Sequence, residues 1–137
     1  MNKKRNQIIE VLNNLLKELI ADYKFNLDSC STGSMGEWYA LFTNEELSLE
    51  VFHDRGDCEY IQVKSKIRRR PRAHLRGFSL SHIRGFLEGK EDHYVFESLE
   101  EEVKWLIKNK EKVLDPSFIN LDELNKWTIK AARKLLG

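Results

Sequence analysis

The stretch KSKIRRRPRAHLRG, residues 64–77, concentrates the side chains of this chain that could bind an anion. Its cations are Lys64, Lys66, Arg68, Arg69, Arg70, Arg72 and Arg76, and it contains one histidine but no acid. A guanidinium group donates two hydrogen bonds in one plane to a phosphate or a carboxylate, and an ammonium group binds either as a point charge. These seven residues are therefore our candidate partner-binding site.

Three interpretations of the basic stretch are open from the sequence. It could be a solvated connection between a sheet and a helix, with arginines that balance nearby acids within residues 97–102. It could bind nucleic acid, because neutralising several phosphates would give a strongly salt-dependent affinity. It could also dock on a protein partner with an acidic face, where arginine and aromatic side chains are common anchors. We favour the acidic protein partner and keep nucleic acid as the alternative.

Aromatic residues bear on the nucleic-acid alternative. No aromatic residue interrupts the basic run before Phe78, so the run itself offers no ring on which a base could stack. Four aromatic residues of the expected strands could form a platform beside it: Trp38, Tyr39, Phe42 and Tyr60. A sheet also needs such residues for its core, and no helix-turn-helix or RNA-binding sheet signature occurs.

The loop TGSMGE, residues 32–37, has the small residues of a phosphate-binding loop. It lacks the Gly-Lys-Ser/Thr ending that supplies the lysine and the metal-binding hydroxyl of that motif. Its Gly33-Ser34 pair is similar to the turn of the nucleotidyltransferase superfamily, in which a following strand carries two metal-binding acids at alternate positions. Glu50 has no second acid two residues away. Neither similarity therefore predicts an enzyme.

Cysteine and histidine side chains could supply a nucleophile with its base, or the ligands of a zinc ion. His53 and Cys58 lie near each other across an expected hairpin, but the other histidines are scattered along the sequence. Free cysteines are commonly buried, and we expect Cys30 and Cys58 to be small core residues. We therefore expect no catalytic residue, no metal and no cofactor.

The charge of the chain is unevenly distributed. The formal net charge is only +1, yet the interval between Glu59 and Glu88 contains eight of the 23 basic residues and no acid. The rest of the chain therefore carries 15 basic residues against all 22 acidic ones. Such segregation favours a local basic contact site and argues against a protein that is basic over its whole surface.

Hydrophobic periodicity predicts a single α+β domain over residues 1–137. Residues 3–24 repeat apolar side chains at three- and four-residue spacing, which is typical of an amphipathic helix packed on a core. Residues 24–66 change to strand-like alternation with short loops, which predicts an antiparallel meander of three or four strands. In two of these strands, Phe52 shares a side with Ser48 and Glu50, and Tyr60 shares a side with Gln62 and Lys64. Three helices should follow the basic stretch, with N-caps at Ser79 or Ser81, at Ser98 and at Asn120, and the second should extend over residues 98–114.

The N-terminal sequence MNKKRNQIIEVLNNLLKELI has a basic start, but polar residues interrupt its apolar ones. We therefore expect neither a signal peptide nor a membrane span. Two cysteines are too few for a disulfide scaffold, which favours a cytoplasmic location.

Residues 47–90 also resemble a known class of proteins. A strand, the turn HDRGD, a second strand and FSLSHIRGFLEGK follow one another as in small bacterial α+β proteins of the polymorphic-toxin immunity type. The resemblance implies a non-catalytic inhibitor that binds a cognate toxin domain and blocks its active site. Immunity proteins against nucleases are often acidic, so the basic stretch implies either a toxin of another kind or an inhibitory face formed by the acidic remainder. The residues indicate neither the identity of the partner nor an oligomeric state.

Overall fold

An antiparallel sheet lies at the centre of the described residues, which are 3–54, 59–66 and 77–136 of this computed structural model. The strands are β1 (Asn26–Thr32), β2 (Trp38–Thr43), β3 (Leu47–His53), β4 (Glu59–Ser65) and β5 (Phe78–Ser79). The helices are α1 (Lys3–Leu15), α2 (Lys17–Tyr23), α3 (Leu80–Leu87), α4 (Leu99–Lys108), α5 (Lys110–Val113), α6 (Pro116–Ile119) and α7 (Asp122–Leu136). Two helices thus precede the strands and five follow them within these ranges.

The strands lie side by side in sequence order, and each neighbouring pair is antiparallel. This meander confirms the α+β class and the antiparallel sheet that the sequence predicts. The structure adds a strand to the three or four expected, because β5 pairs with Gln62 and Val63. A strand of two residues is too short to produce an alternating pattern in the sequence.

Alternate residues of β2, β3 and β4 lie on opposite faces of the sheet. One face is buried and carries Ala40, Phe42, Leu47, Leu49, Val51, Ile61 and Val63. Apolar residues of the described helices complete this core, among them Leu12, Leu19, Ile83, Leu106 and Leu124. The opposite face, which we call the outer face, carries Tyr39, Leu41, Thr43, Ser48, Glu50, Phe52, Tyr60, Gln62 and Lys64, all partly exposed.

Side-chain caps set the starts of two helices as expected. The hydroxyl of Ser79 accepts the backbone N–H of His82 at the start of α3, and that of Ser98 accepts the N–H of Glu101 at the start of α4. The expected N-cap at Asn120 is wrong, because Asn120 is the C-terminal cap of α6 and α7 begins at Asp122.

Two of the expected long helices are interrupted. The N-terminal one changes from α1 to α2 at Leu16, although the N–H of Leu16 still bonds the Leu12 carbonyl and that of Ile20 bonds the Leu16 carbonyl. The helix expected over residues 98–114 divides at Asn109 into α4 and α5. The Asn109 side chain bonds the carbonyl of Trp105, so it competes locally with the helical backbone hydrogen bonds.

Candidate protein-interaction face of the sheet

Three aromatic rings form a row across the outer face. Tyr39 in β2 pairs with Phe52 in β3, which pairs with Tyr60 in β4. Ring centroids are 5.0 Å apart for Tyr39 and Phe52 and 4.8 Å apart for Phe52 and Tyr60. The outer face of a one-sided antiparallel sheet is ordinarily polar. A row of partly exposed aromatic rings there marks a candidate contact surface.

The geometry of the row indicates what it can contact. The Phe52 and Tyr60 rings are within 15° of parallel, at a separation close to the spacing of neighbouring strands. Phe52 therefore has a neighbouring ring on each side. Base stacking needs an open ring face. The row suits contact with protein side chains better than stacking with nucleotide bases.

Two of the seven predicted partner-binding cations are described. Lys64 lies on the outer face, on the same side of β4 as Tyr60. Lys66 follows β4, is exposed, and donates from Nζ to the Asn44 carbonyl at 2.9 Å. The other five predicted residues lie outside the described residues: Arg68, Arg69, Arg70, Arg72 and Arg76. The basic stretch thus begins on the face that carries the aromatic row.

The carboxylate of Glu50 lies beside the row, two residues before Phe52 in β3. The hydroxyl of Tyr39 donates to Glu50 Oε2 at 2.8 Å. Burial raises the pKa of Tyr39, and the hydrogen bond and charge of Glu50 add to the increase. Tyr39 is therefore held as a neutral donor. Its ring has a fixed orientation beside Phe52, which reduces the entropy lost when a partner binds.

The aromatic platform considered from the sequence is only partly correct. Phe42 is fully buried in the core, and Trp38 lies at the end of β2 with its ring parallel to that of His53, at 5.5 Å. Tyr39 and Tyr60 do lie on the outer face. The third ring of the row is that of Phe52, which the sequence placed on the polar side of its strand without identifying its neighbours.

The candidate catalytic side chains do not assemble into a site within the described ranges. Cys30 is a buried residue of β1, and burial raises the pKa of its thiol, which disfavours the nucleophilic thiolate. His53 Nδ1 lies 3.5 Å from Glu59 Oε2. Cys58 lies outside the described residues. No group of three or more histidine, cysteine or acidic residues that could hold a metal ion occurs among those described.

Glu102 has a role that the sequence did not predict. The sequence attributes the acids at the start of α4 to the helix dipole, but Glu102 is only 2% exposed and accepts a hydrogen bond from the backbone N–H of Ile61. Burial, with smaller contributions from the charges of Glu59 and Glu101, raises the pKa of Glu102 to about 7. Glu102 is therefore a structural acceptor, unavailable to balance an arginine of the basic stretch.

The structure also brings two histidines together that are distant in sequence. The rings of His82 in α3 and His93 are 5.5 Å apart, beside the indole of Trp127 in α7. Gly85 makes this approach possible, because a Cβ there would lie 2.5 Å from the Asp92 carbonyl oxygen and 3.1 Å from His93 Cα. The signal in the sequence was a glycine inside a helix, which often indicates close packing.

No helix of the described ranges combines the length and the apolar character that a bilayer span requires. Neither a protein-family model, nor a curated protein, nor a solved structure matches this chain.

Proposed function

We propose that this chain is a non-enzymatic protein-binding module that presents its outer face, with Lys64, Lys66 and the following basic stretch, to a protein partner with an acidic patch. The observation that carries the proposal is the row of Tyr39, Phe52 and Tyr60 on the face opposite the buried core. Aromatic anchors supply apolar contact area, and the lysines supply charge that speeds association and selects the partner.

The most specific form of this function is an immunity-type inhibitor that acts in the cytoplasm on a cognate bacterial toxin. Its support is the sequence resemblance over residues 47–90, a range that includes Phe52, Tyr60 and Lys64. The inhibitor would then cover the toxin's active site with the outer face. The alternative for the same function is that the acidic remainder of the chain, and not the outer face, forms the inhibitory surface.

Nucleic-acid binding is the second candidate, because Lys64 places a cation beside the aromatic row at the start of the basic stretch. The parallel packing of Phe52 against Tyr60 argues against base stacking at this row. Binding through phosphates alone would remain sensitive to salt and to nuclease. These properties separate the two functions experimentally.

The test is capture of partners from the source lysate by the purified chain, with and without nuclease treatment. Four variants are compared with the wild type. Two change the outer face, namely the double variant Lys64→Glu with Lys66→Glu and the single variant Phe52→Thr, and two are matched controls on other surfaces. Lys104→Glu with Lys108→Glu makes the same charge change on the exposed side of α4, and Ile129→Thr removes an exposed apolar side chain of α7. A fifth variant reverses Arg68, Arg69, Arg70 and Arg72 to test the predicted residues that are not described.

We expect to recover one acidic protein at defined stoichiometry after nuclease treatment. Both outer-face variants should capture it about tenfold more weakly, a loss of about 1.4 kcal/mol in binding free energy, because each changes an anchor residue. Both controls should capture normally. Recovery of only nuclease-sensitive material would favour the nucleic-acid function. A partner that all variants still capture would exclude the outer face as the binding site and would favour the acidic surface instead.

A further inference from the structure

A cavity of about 310 Å³ lies at the end of the sheet where the β1–β2 turn meets the end of β3. Its walls include Glu37, Trp38, Tyr39, Phe52, His53 and Asp54. The cavity adjoins the aromatic row, since Tyr39 and Phe52 belong to both. Its volume is that of a small ligand site.

The turn that closes the cavity is the small-residue loop TGSMGE. The N–H of Gly33 bonds the Glu37 carbonyl at 2.8 Å, and Gly36 has a φ of +90° that favours glycine. The Glu37 side chain lies directly against the α-carbon of Gly33, where any Cβ would overlap its carboxyl group. The glycines of this loop therefore place a carboxylate at the cavity instead of a phosphate-binding ring of N–H groups.

One oxygen of the Glu37 carboxylate lacks a partner among the described residues. Its Oε2 atom is buried and accepts no hydrogen bond within the described residues. The nearby ammonium group of Lys4 is directed to the Gly36 carbonyl, at 3.4 Å. A buried carboxylate oxygen without a donor is costly, and it favours a ligand that supplies one.

Charge and wall chemistry define that ligand. Both acidic groups of the wall, Glu37 and Asp54, would repel a phosphate or a carboxylate. The rings of Tyr39 and Phe52, which both lie on the outer face, offer the aromatic environment that attracts organic cations. A planar guanidinium group can donate to a carboxylate while it contacts aromatic rings.

We propose that this cavity binds a guanidinium or ammonium group, such as the head of an arginine or lysine side chain. The proposal goes beyond the protein-binding function and does not depend on an acidic partner. The cation could belong to a protein side chain or to a small free amine. Both sources would bind through a hydrogen bond to Glu37 and contact with the aromatic wall.

The test is an NMR titration of the purified chain labelled with ¹⁵N. The probes are N-acetyl-arginine amide, N-acetyl-lysine amide, free arginine and N-acetyl-citrulline amide, which has the shape of the first probe without its charge. We expect both blocked cationic probes to shift the backbone signals of residues 31–39 and 52–54. Glu37→Gln should weaken binding about tenfold, since it removes a charge-assisted hydrogen bond. Glu10→Gln, on the exposed side of α1, should leave binding unchanged.

Preference for the blocked probes over free arginine would indicate a protein side chain as the natural ligand, and the opposite preference would indicate a small cation. Either result supports the site. Equal binding of the citrulline probe, unchanged affinity in Glu37→Gln, or no shift with any probe would each overturn the proposal. A dispersed spectrum of Glu37→Gln establishes that the variant is folded before its affinity is compared.

Discussion

The carboxylate of Glu102, in α4, accepts a hydrogen bond of 2.8 Å from the backbone N–H of Ile61, in β4. β5 pairs only with Gln62 and Val63, and Ile61 lies one residue beyond that pairing. Glu102 thus supplies the acceptor that a longer fifth strand would have supplied, and α4 covers this part of the strand edge. The bond joins two residues that are 41 positions apart in the sequence and fixes the helix on the sheet.

We predict that the burial of Glu102, which outweighs the opposing effect of its hydrogen bond to Ile61, makes stability fall as pH rises from about 4.5 to about 7. The folded pKa of Glu102, about 7, exceeds its ordinary value of 4.5, so the folded state binds more protons than the unfolded state in this window. The contribution of Glu102 to the free energy of unfolding is fully present below its unfolded-state pKa and is lost above its folded-state pKa. The two limits differ by roughly 3 kcal/mol. Glu102→Gln should be more stable than the wild type at pH 8 and lose most of this advantage at pH 4.5.

Urea unfolding at a series of pH values measures the effect, and Glu100→Gln is the matched control in the same helical turn. Glu100 is exposed, so its variant should follow the wild-type profile. An identical pH profile for wild type and Glu102→Gln would contradict the assignment of the raised pKa to Glu102.

Gly85→Ala should destabilise the protein even though alanine favours a helix over glycine by about 1 kcal/mol. The added Cβ would lie 2.5 Å from the Asp92 carbonyl oxygen and 2.8 Å from Trp127 Cη2. Backbone cannot move aside as a flexible side chain can, so we expect a net loss of about 1–3 kcal/mol in the free energy of unfolding. Thermal or urea unfolding measures it. Ser81→Ala in the same helix controls for propensity, and a Gly85→Ala protein at least as stable as the wild type would refute the close packing.

The parts of the fold that were predictable from sequence depend on local patterns. The alternation of Leu47, Leu49 and Val51 identifies the buried side of β3, and Ser79 and Ser98 are caps because their hydroxyls act within three residues. The aromatic row needed more information. The sequence placed Phe52 and Tyr60 on the polar sides of two strands, but only the register shows that they are partners.

The burial of Glu102 and the pairing of His82 with His93 were not predictable for a related reason. Each depends on how a helix or a loop packs against an element far away in sequence, and an acid near the start of a helix is equally well explained by the dipole. The cavity at Glu37 depends on the conformation of a glycine-containing turn, whose residue types also fit a phosphate-binding loop. The residue types of this loop predict a turn, but only the backbone conformation shows that the turn places the Glu37 carboxylate at the cavity.

His82 should make the protein less stable in mild acid. Its Nδ1 lies 2.6 Å from the Ser79 hydroxyl, and its ring faces His93 and Trp127, with Asp92 nearby. Burial lowers the pKa of His82, the charge of His93 lowers it further, and Asp92 opposes both. The unfolded state therefore binds the proton more readily, and stability should decrease as pH falls below 6.5.

Replacing His82 by Gln should flatten the stability profile below pH 6.5, as measured by chemical unfolding at fixed ionic strength. His53→Gln provides a comparison at the far end of β3. If His82→Gln loses stability in acid as steeply as the wild type, another group is responsible for that slope.

Cys30 should react slowly with a thiol reagent in the folded protein. Its side chain is in the core at 8% exposure, opposite Ala40, and burial raises the pKa of its thiol, so thiolate is scarce and access is limited. In a Cys58→Ser protein, where Cys30 is the only cysteine, we expect iodoacetamide to react at least about tenfold more slowly than in urea, because modification requires local opening. Mass spectrometry at timed intervals gives both rates. Rapid modification without denaturant would mean that β1, an edge strand of the described sheet, opens readily from the core, and would contradict the burial of Cys30.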